Sequence, residues 1–216
     1  MGLFLVESAP LTLLMLAFIL AAVCFAGQVE AAFGNADETL LRRLYAEAPT
    51  RSDSLLALFR LIPLTGDASL LEGLPSKLEA SSPARELAWL SALWGFRAQQ
   101  AGLLRKPTYG AASIRLIEAA ERVDRDDPWV LLISGQSYLY RPSILGGSSE
   151  TALARFERLV QELTAAPECG LPVLEARIWV WMGLSKGGRP DADSLRAALL
   201  ATDPPPRYRT WLEQGP

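Results

Sequence analysis

The stretch PWVLLISGQSYLYRPSILGGSSETALARFERLVQELTAAP, residues 128–167, decides how the rest of the chain is read. Asp127 is placed to cap a helix whose first position suits Pro128, and Trp129, Val130, Leu131, Ile133, Gly135 and Tyr138 fall on its packing faces. The residue before a proline avoids the helical region, so Pro142 ends this helix near Tyr140 or Arg141. The chain then crosses Ser143, Ile144, Leu145, Gly146 and Gly147, and Ser148 or Ser149 caps a second helix. Glu150 suits the positive end of that helix, and Leu153, Phe156, Leu159, Val160 and Leu163 recur at helical spacing. The stretch predicts a helical hairpin.

Outward from it, further helices are expected over 83–103, 111–123, 172–186 and 190–203, with a terminal turn through Tyr208, Trp211 and Leu212 that folds back as a lid. The residues Lys106 to Gly110 read as an interruption. Upstream the chain is less regular. Short helices at 37–47 and 54–62 are separated by Pro49 and ended by Pro63, and a weak helix follows at 68–80. No strand pattern of useful length appears, so the expected fold class is all-α, with stacked antiparallel helical hairpins behind a hydrophobic leader helix.

Residues 1–31 differ from everything after them. There is no charged side chain between Glu7 and Glu30, and 11–25 is almost purely apolar, as in a secretory leader or a membrane anchor. Ala26 before Gly27, or Ala31 before Ala32, would suit a peptidase, while the uncharged run 8–29 is long enough to span a bilayer uncleaved. A lipid anchor at Cys24 is disfavoured by the bulky Val23 beside it. The expected organisation is therefore a leader or anchor at 1–31, an irregular helical cap at 32–82 and a repeat region at 83–216. The expected location is the cell envelope or periplasm, with membrane contact through 1–31 if the leader is retained.

Half of the 216 residues are hydrophobic, enough for one sizeable core. A net charge of −3 with scattered basic residues argues against a nucleic-acid partner, which needs clustered cations. Histidine is absent, which removes Ser–His and Cys–His catalysis and imidazole metal sites. Cys24 and Cys169 offer no metal-ligand spacing, and Cys169 has no internal partner once 1–31 is removed, so it reads as a partly buried small residue. Ser185 and Lys186 are adjacent and diverge on a helix, and the acidic pairs Asp126–Asp127 and Asp191–Asp193 sit where they cap helices. No catalytic residue, cofactor or metal is expected.

Gly135 followed by Tyr138, with Ala152 and Phe156 on the second helix, resembles the tetratricopeptide repeat pattern of Gly, Tyr, Ala and Phe. Trp179, Met182, Gly183, Ala192 and Pro204 fall near the same family positions, as do Trp94, Gly95 and Ala112 upstream. The resemblance has departures: the turn after Tyr140 is about five residues longer than in the ~34-residue family unit, and Lys186 stands where the next tyrosine belongs. It implies a stacked array over 83–204 that binds a protein or peptide partner without catalysis. The alternatives are a small apolar ligand held in a helical cavity, as in a transporter-associated protein, and an envelope enzyme using facing carboxylates.

The candidate binding surface is Trp89, Trp129, Tyr140, Arg141, Ile144, Leu145 and Trp179. The tryptophans would line a concave groove or fill gaps between helices. Ile144 and Leu145 would tuck over the end of the hairpin or protrude towards a partner.

Overall fold

The computed structural model describes residues 24–75 and 82–214, and residues 1–23 of the expected leader lie outside them. The described residues form ten α-helices and no strand: α1 (Phe25–Gly34), α2 (Glu38–Ala46), α3 (Arg51–Thr65), α4 (Ala84–Gln100), α5 (Lys106–Val123), α6 (Pro128–Tyr140), α7 (Ser149–Ala165), α8 (Val173–Lys186), α9 (Ala192–Leu200) and α10 (Pro206–Gln214). Among the described residues no helix is long and apolar enough to cross a membrane.

The hairpin of α6 and α7 forms as its residues dictate. Asp127 Oδ1 accepts from the amides of Trp129 and Val130, and Ser148 Oγ accepts from the amide of Thr151. Gly135 is the point of close approach, because a Cβ there would come within 2.8 Å of Phe156 Cδ1. Ala152 and Phe156 are fully buried beside it. The α4–α5 pair closes on small residues too: Ser91 Oγ donates to the Ser113 carbonyl and Ser113 Oγ to the Ser91 carbonyl, both at 2.8 Å.

Four helices run side by side in one direction. Arg51, at the start of α3, lies 3.4 Å from Glu86 at the start of α4. Arg85 of α4 in turn reaches Asp127, the cap of α6, at 2.8 Å and Glu168, just before α8, at 3.0 Å. At the other end Gln100 Nε2 donates to the Gly66 carbonyl at 3.1 Å, and Lys186 Nζ sits 4.5 Å from the Tyr140 ring. Helices α3, α4, α6 and α8 therefore share a start end and a turn end. The turns leading into α5, α7 and α9 all lie at the turn end.

The ends of the described chain meet. Helix α1 packs on α3 and α10, and α10 also packs on α8 and α9. Phe33 meets the Tyr208 and Trp211 rings edge-on at 6.0 and 5.7 Å. The terminal segment is thus a helix folded back on the body, as its apolar residues suggest.

Several boundaries differ from expectation. Helix α3 runs through Pro63 to Gly66, because a proline in the last turn removes a single intrahelical bond and Gly66 supplies the left-handed cap. Lys106 to Gly110 do not interrupt: Pro107 falls in the first turn of α5, where its missing N–H costs nothing. The helix expected over 68–80 is reduced to a 3-10 turn at Ala68–Leu71, and 76–81 lie outside the described residues. Residues 24–31, read with the leader, form the cap and body of α1, with Val29 fully buried.

Cys169 is also corrected. It forms a disulfide with Cys24, tying the entry of α1 to the α7–α8 turn. Ala26 packs directly under Gly170, whose φ of +85° and lack of a Cβ allow the approach. The sequence could not show that Cys24 belongs to the folded body, because its apolar surroundings read as leader.

Candidate functional site

The most concentrated chemistry lies where α1, α3, α8 and α10 converge. Arg60 of α3 is only 2% exposed and donates from Nη1 to Glu175 Oε1 at 2.8 Å and from Nη2 to Glu175 Oε2 at 2.6 Å. Its Nη2 also lies 3.0 Å from Glu30 Oε2. The rings of Phe33, Trp129 and Phe59 stand 4.6, 5.1 and 5.3 Å from the guanidinium carbon. A planar, delocalised cation suits this position, since it pairs with a carboxylate bidentately while its faces rest on aromatic rings.

Two carboxylates on one guanidinium leave a surplus negative charge, and the Tyr208 hydroxyl shows how it is removed. That hydroxyl is in hydrogen-bond contact with both Glu30 Oε1 and Glu175 Oε2, the latter at 3.1 Å. One O–H has one proton to give. It can donate to Glu30 or to Glu175, and a proton retained on Glu30 leaves it to Glu175, already bound bidentately by Arg60. Burial drives the Glu30 carboxyl up to about 8, with Arg60 opposing and Glu175 reinforcing the shift. Burial, then Glu175 and Glu30, raise the Tyr208 phenol well above its ordinary value, so it stays neutral. For Arg60, burial works against the charge, and the two carboxylates outweigh it. The cluster is thus one cation, one anion and two neutral donors, closed over by aromatic rings. It joins the first and last helices of the domain to its middle.

A second feature faces solvent. A half-open groove of about 420 Å³ runs between α7, α8 and α9, with Val160, Val180, Leu195 and Leu199 along it and Glu157, Gln161 and Arg177 at its edges. It is a mostly apolar trough with both signs of charge beside it.

The candidate binding residues divide into two groups. Trp89, Trp129 and Trp179 do not line an open groove. They are 3%, 1% and 7% exposed and belong to an aromatic core, with Trp89 5.3 Å from Trp129 and Trp179 5.7 Å from Trp211. The reason is that they pack between helices: Phe59 of α3 and Trp89 of α4 both meet Trp129, and Trp211 of α10 meets Trp179. Tyr140, Arg141, Ile144 and Leu145 lie together at the turn end. Ile144 and Leu145 do not tuck over the hairpin, being 87% and 56% exposed on a 3-10 turn. Tyr140 is half exposed, and Arg141 stacks 5.1 Å over Tyr138 while donating to Ser137 Oγ at 2.8 Å.

Sequence reasoning missed Arg60, Glu175, Glu30 and Tyr208. A signal was present: Arg60 stands inside the otherwise apolar run Leu58-Phe59-Arg60-Leu61-Ile62, where a charge must either face out or find a buried partner. It also missed Leu103 and Leu104, exposed at 90% and 95%. Comparison with protein-family models, with curated proteins and with solved structures finds no match for this chain.

Proposed function

We propose that this protein is a non-catalytic module of the cell envelope, built from hairpins of the tetratricopeptide type, that binds a protein or peptide partner. The groove between α7, α8 and α9 carries the reading. Its apolar floor, flanked by Glu157 and Arg177, suits the apolar side of an amphipathic helix with charges at its margins. The repeat-like array is supported by small residues where consecutive helices approach: Ser91 with Ser113, Gly135 with Phe156, and Gly183, where an added Cβ would lie 3.5 Å from Leu153 Cδ1. Export is supported by the Cys24–Cys169 disulfide, which needs an oxidising compartment. The same bond is incompatible with a lipid on Cys24. Both expected cleavage points fall after Cys24, so the disulfide also favours a leader that keeps this residue joined to the domain.

A small apolar ligand is the second reading, because mainly apolar side chains line the trough. The carboxylate-enzyme reading has less support. Glu30 and Glu175 do converge, but on a shared arginine beneath packed rings, where they serve the fold.

The test places a photo-crosslinking amino acid at Val180 in the full-length chain, irradiates the cell-envelope fraction and determines the mass of the mature chain and its adducts. A discrete adduct of protein mass that disappears with Leu195→Arg is the expected result. A lipophilic adduct in its place shifts the reading to a ligand carrier, and no adduct at the groove overturns both.

A further inference from the structure

The turn end carries a surface that the groove does not involve. Leu103 and Leu104 on the α4–α5 turn and Ile144 and Leu145 on the α6–α7 turn project from adjacent parallel helices, since α4 packs on α6. Cations surround them. Arg105 and Lys106 follow Leu104 directly, Arg97 closes α4, Arg141 closes α6 and Lys186 closes α8. Among the described residues none of these five has an ion-pair partner. Arg97 lies 4.7 Å from the Tyr109 ring, Arg141 over Tyr138 and Lys186 over Tyr140. Glu150, opening α7, and Asp193, opening α9, are opposing charges on this end, while Asp191 is engaged by Arg189. At the start end the pattern inverts: Arg51, Arg85 and Arg158 are paired with Glu86, Asp127, Glu168, Asp126 and Glu162.

We propose that the turn end docks on an anionic lipid surface. Leu103, Leu104 and Ile144 enter the acyl boundary, and Arg105, Lys106, Arg141 and Lys186 meet lipid phosphates. Protrusion decides for lipid over peptide. A fluid bilayer admits an apolar tip without a preformed hole, whereas a protein partner must supply a fitted pocket for each one. The uncompensated cations give the attraction to anionic headgroups that apolar tips alone lack.

Cys24 is bonded to Cys169 at the start end, and the 17 residues of α4 rise about 25 Å from there to the tips.

The experiment incorporates the full-length chain into phosphatidylcholine nanodiscs, which occupy the apolar 1–23 stretch, and floats it with vesicles of phosphatidylcholine with or without phosphatidylglycerol. If the isolated protein lacks that stretch, it is mixed with the vesicles directly. Flotation with the phosphatidylglycerol vesicles alone, reversed by high salt, is expected. Arg105→Gln and Lys106→Gln each weaken it about fivefold. Leu104→Asp with Ile144→Asp abolishes it while the helical circular dichroism is unchanged, because both side chains are in solvent. Equal recovery on both vesicle types, no flotation on either, or undiminished binding of the tip variants overturns the proposal. The groove variant Leu195→Arg leaves this readout unchanged, so the two proposals fail separately.

Discussion

Replacing Glu30 with glutamine tests the protonation of the buried cluster directly. In the unfolded chain the carboxyl titrates near 4.5, whereas in the folded protein it holds its proton to about 8. Between these values the folded state binds more protons than the unfolded one, so the contribution of Glu30 to stability falls as pH rises. It is complete below 4.5 and lost as pH climbs through 8. At 1.36 kcal/mol per unit, the loss is on the order of 3 kcal/mol at pH 7 and on the order of 5 kcal/mol above pH 9. Glutamine mimics the protonated side chain. Its carbonyl faces Arg60 Nη2, 3.0 Å from the corresponding Glu30 oxygen, and its amide faces the Tyr208 hydroxyl, which is left to donate to Glu175. Glu30→Gln should therefore match the parent near pH 4.5 and exceed it as pH rises. At about 2–4 °C per kcal/mol for a chain of this size, the variant should melt roughly 6–12 °C higher at pH 7. Thermal melts of both proteins by circular dichroism across pH 5 to 9 measure the difference, with other titrating groups cancelling between them. A gap independent of pH, or a variant that loses more stability at pH 9 than at pH 5, would refute a protonated Glu30.

Arg60→Met should cost about 3–5 kcal/mol by denaturant titration, since it strands the Glu175 carboxylate at full burial, and adding Glu175→Leu should recover much of the loss. Gly135→Ala should destabilise by about 1–3 kcal/mol, because the new methyl meets the Phe156 ring, and Phe156→Leu in the same chain should relieve it. Reduction should lower the melting temperature of the parent by an amount corresponding to about 2–5 kcal/mol, whereas Cys169→Ser should melt at the same temperature with and without reductant.

What the sequence determined by itself is local. Proline and glycine positions, capping side chains and apolar spacing are read within a few residues, so the α6–α7 hairpin, a cap for α7 at Ser148 or Ser149 and the close approach at Gly135 follow from residues 127–163 alone. The same local logic places Tyr140, Arg141, Ile144 and Leu145 on one turn. Tertiary structure alone decided what each face meets. Trp89, Trp129 and Trp179 read from sequence either as a groove lining or as fillers between helices, and only the packing of α3 and α10 against them decides that they are core. Arg60 and Glu175 are separated by 115 positions, and Cys24 and Cys169 by 145. A buried charge and a lone thiol each need a partner, but periodicity says only that one must exist. Which residue fills the role is set by how the first and last helices close on the middle of the chain, a long-range packing choice that no short window of residues contains.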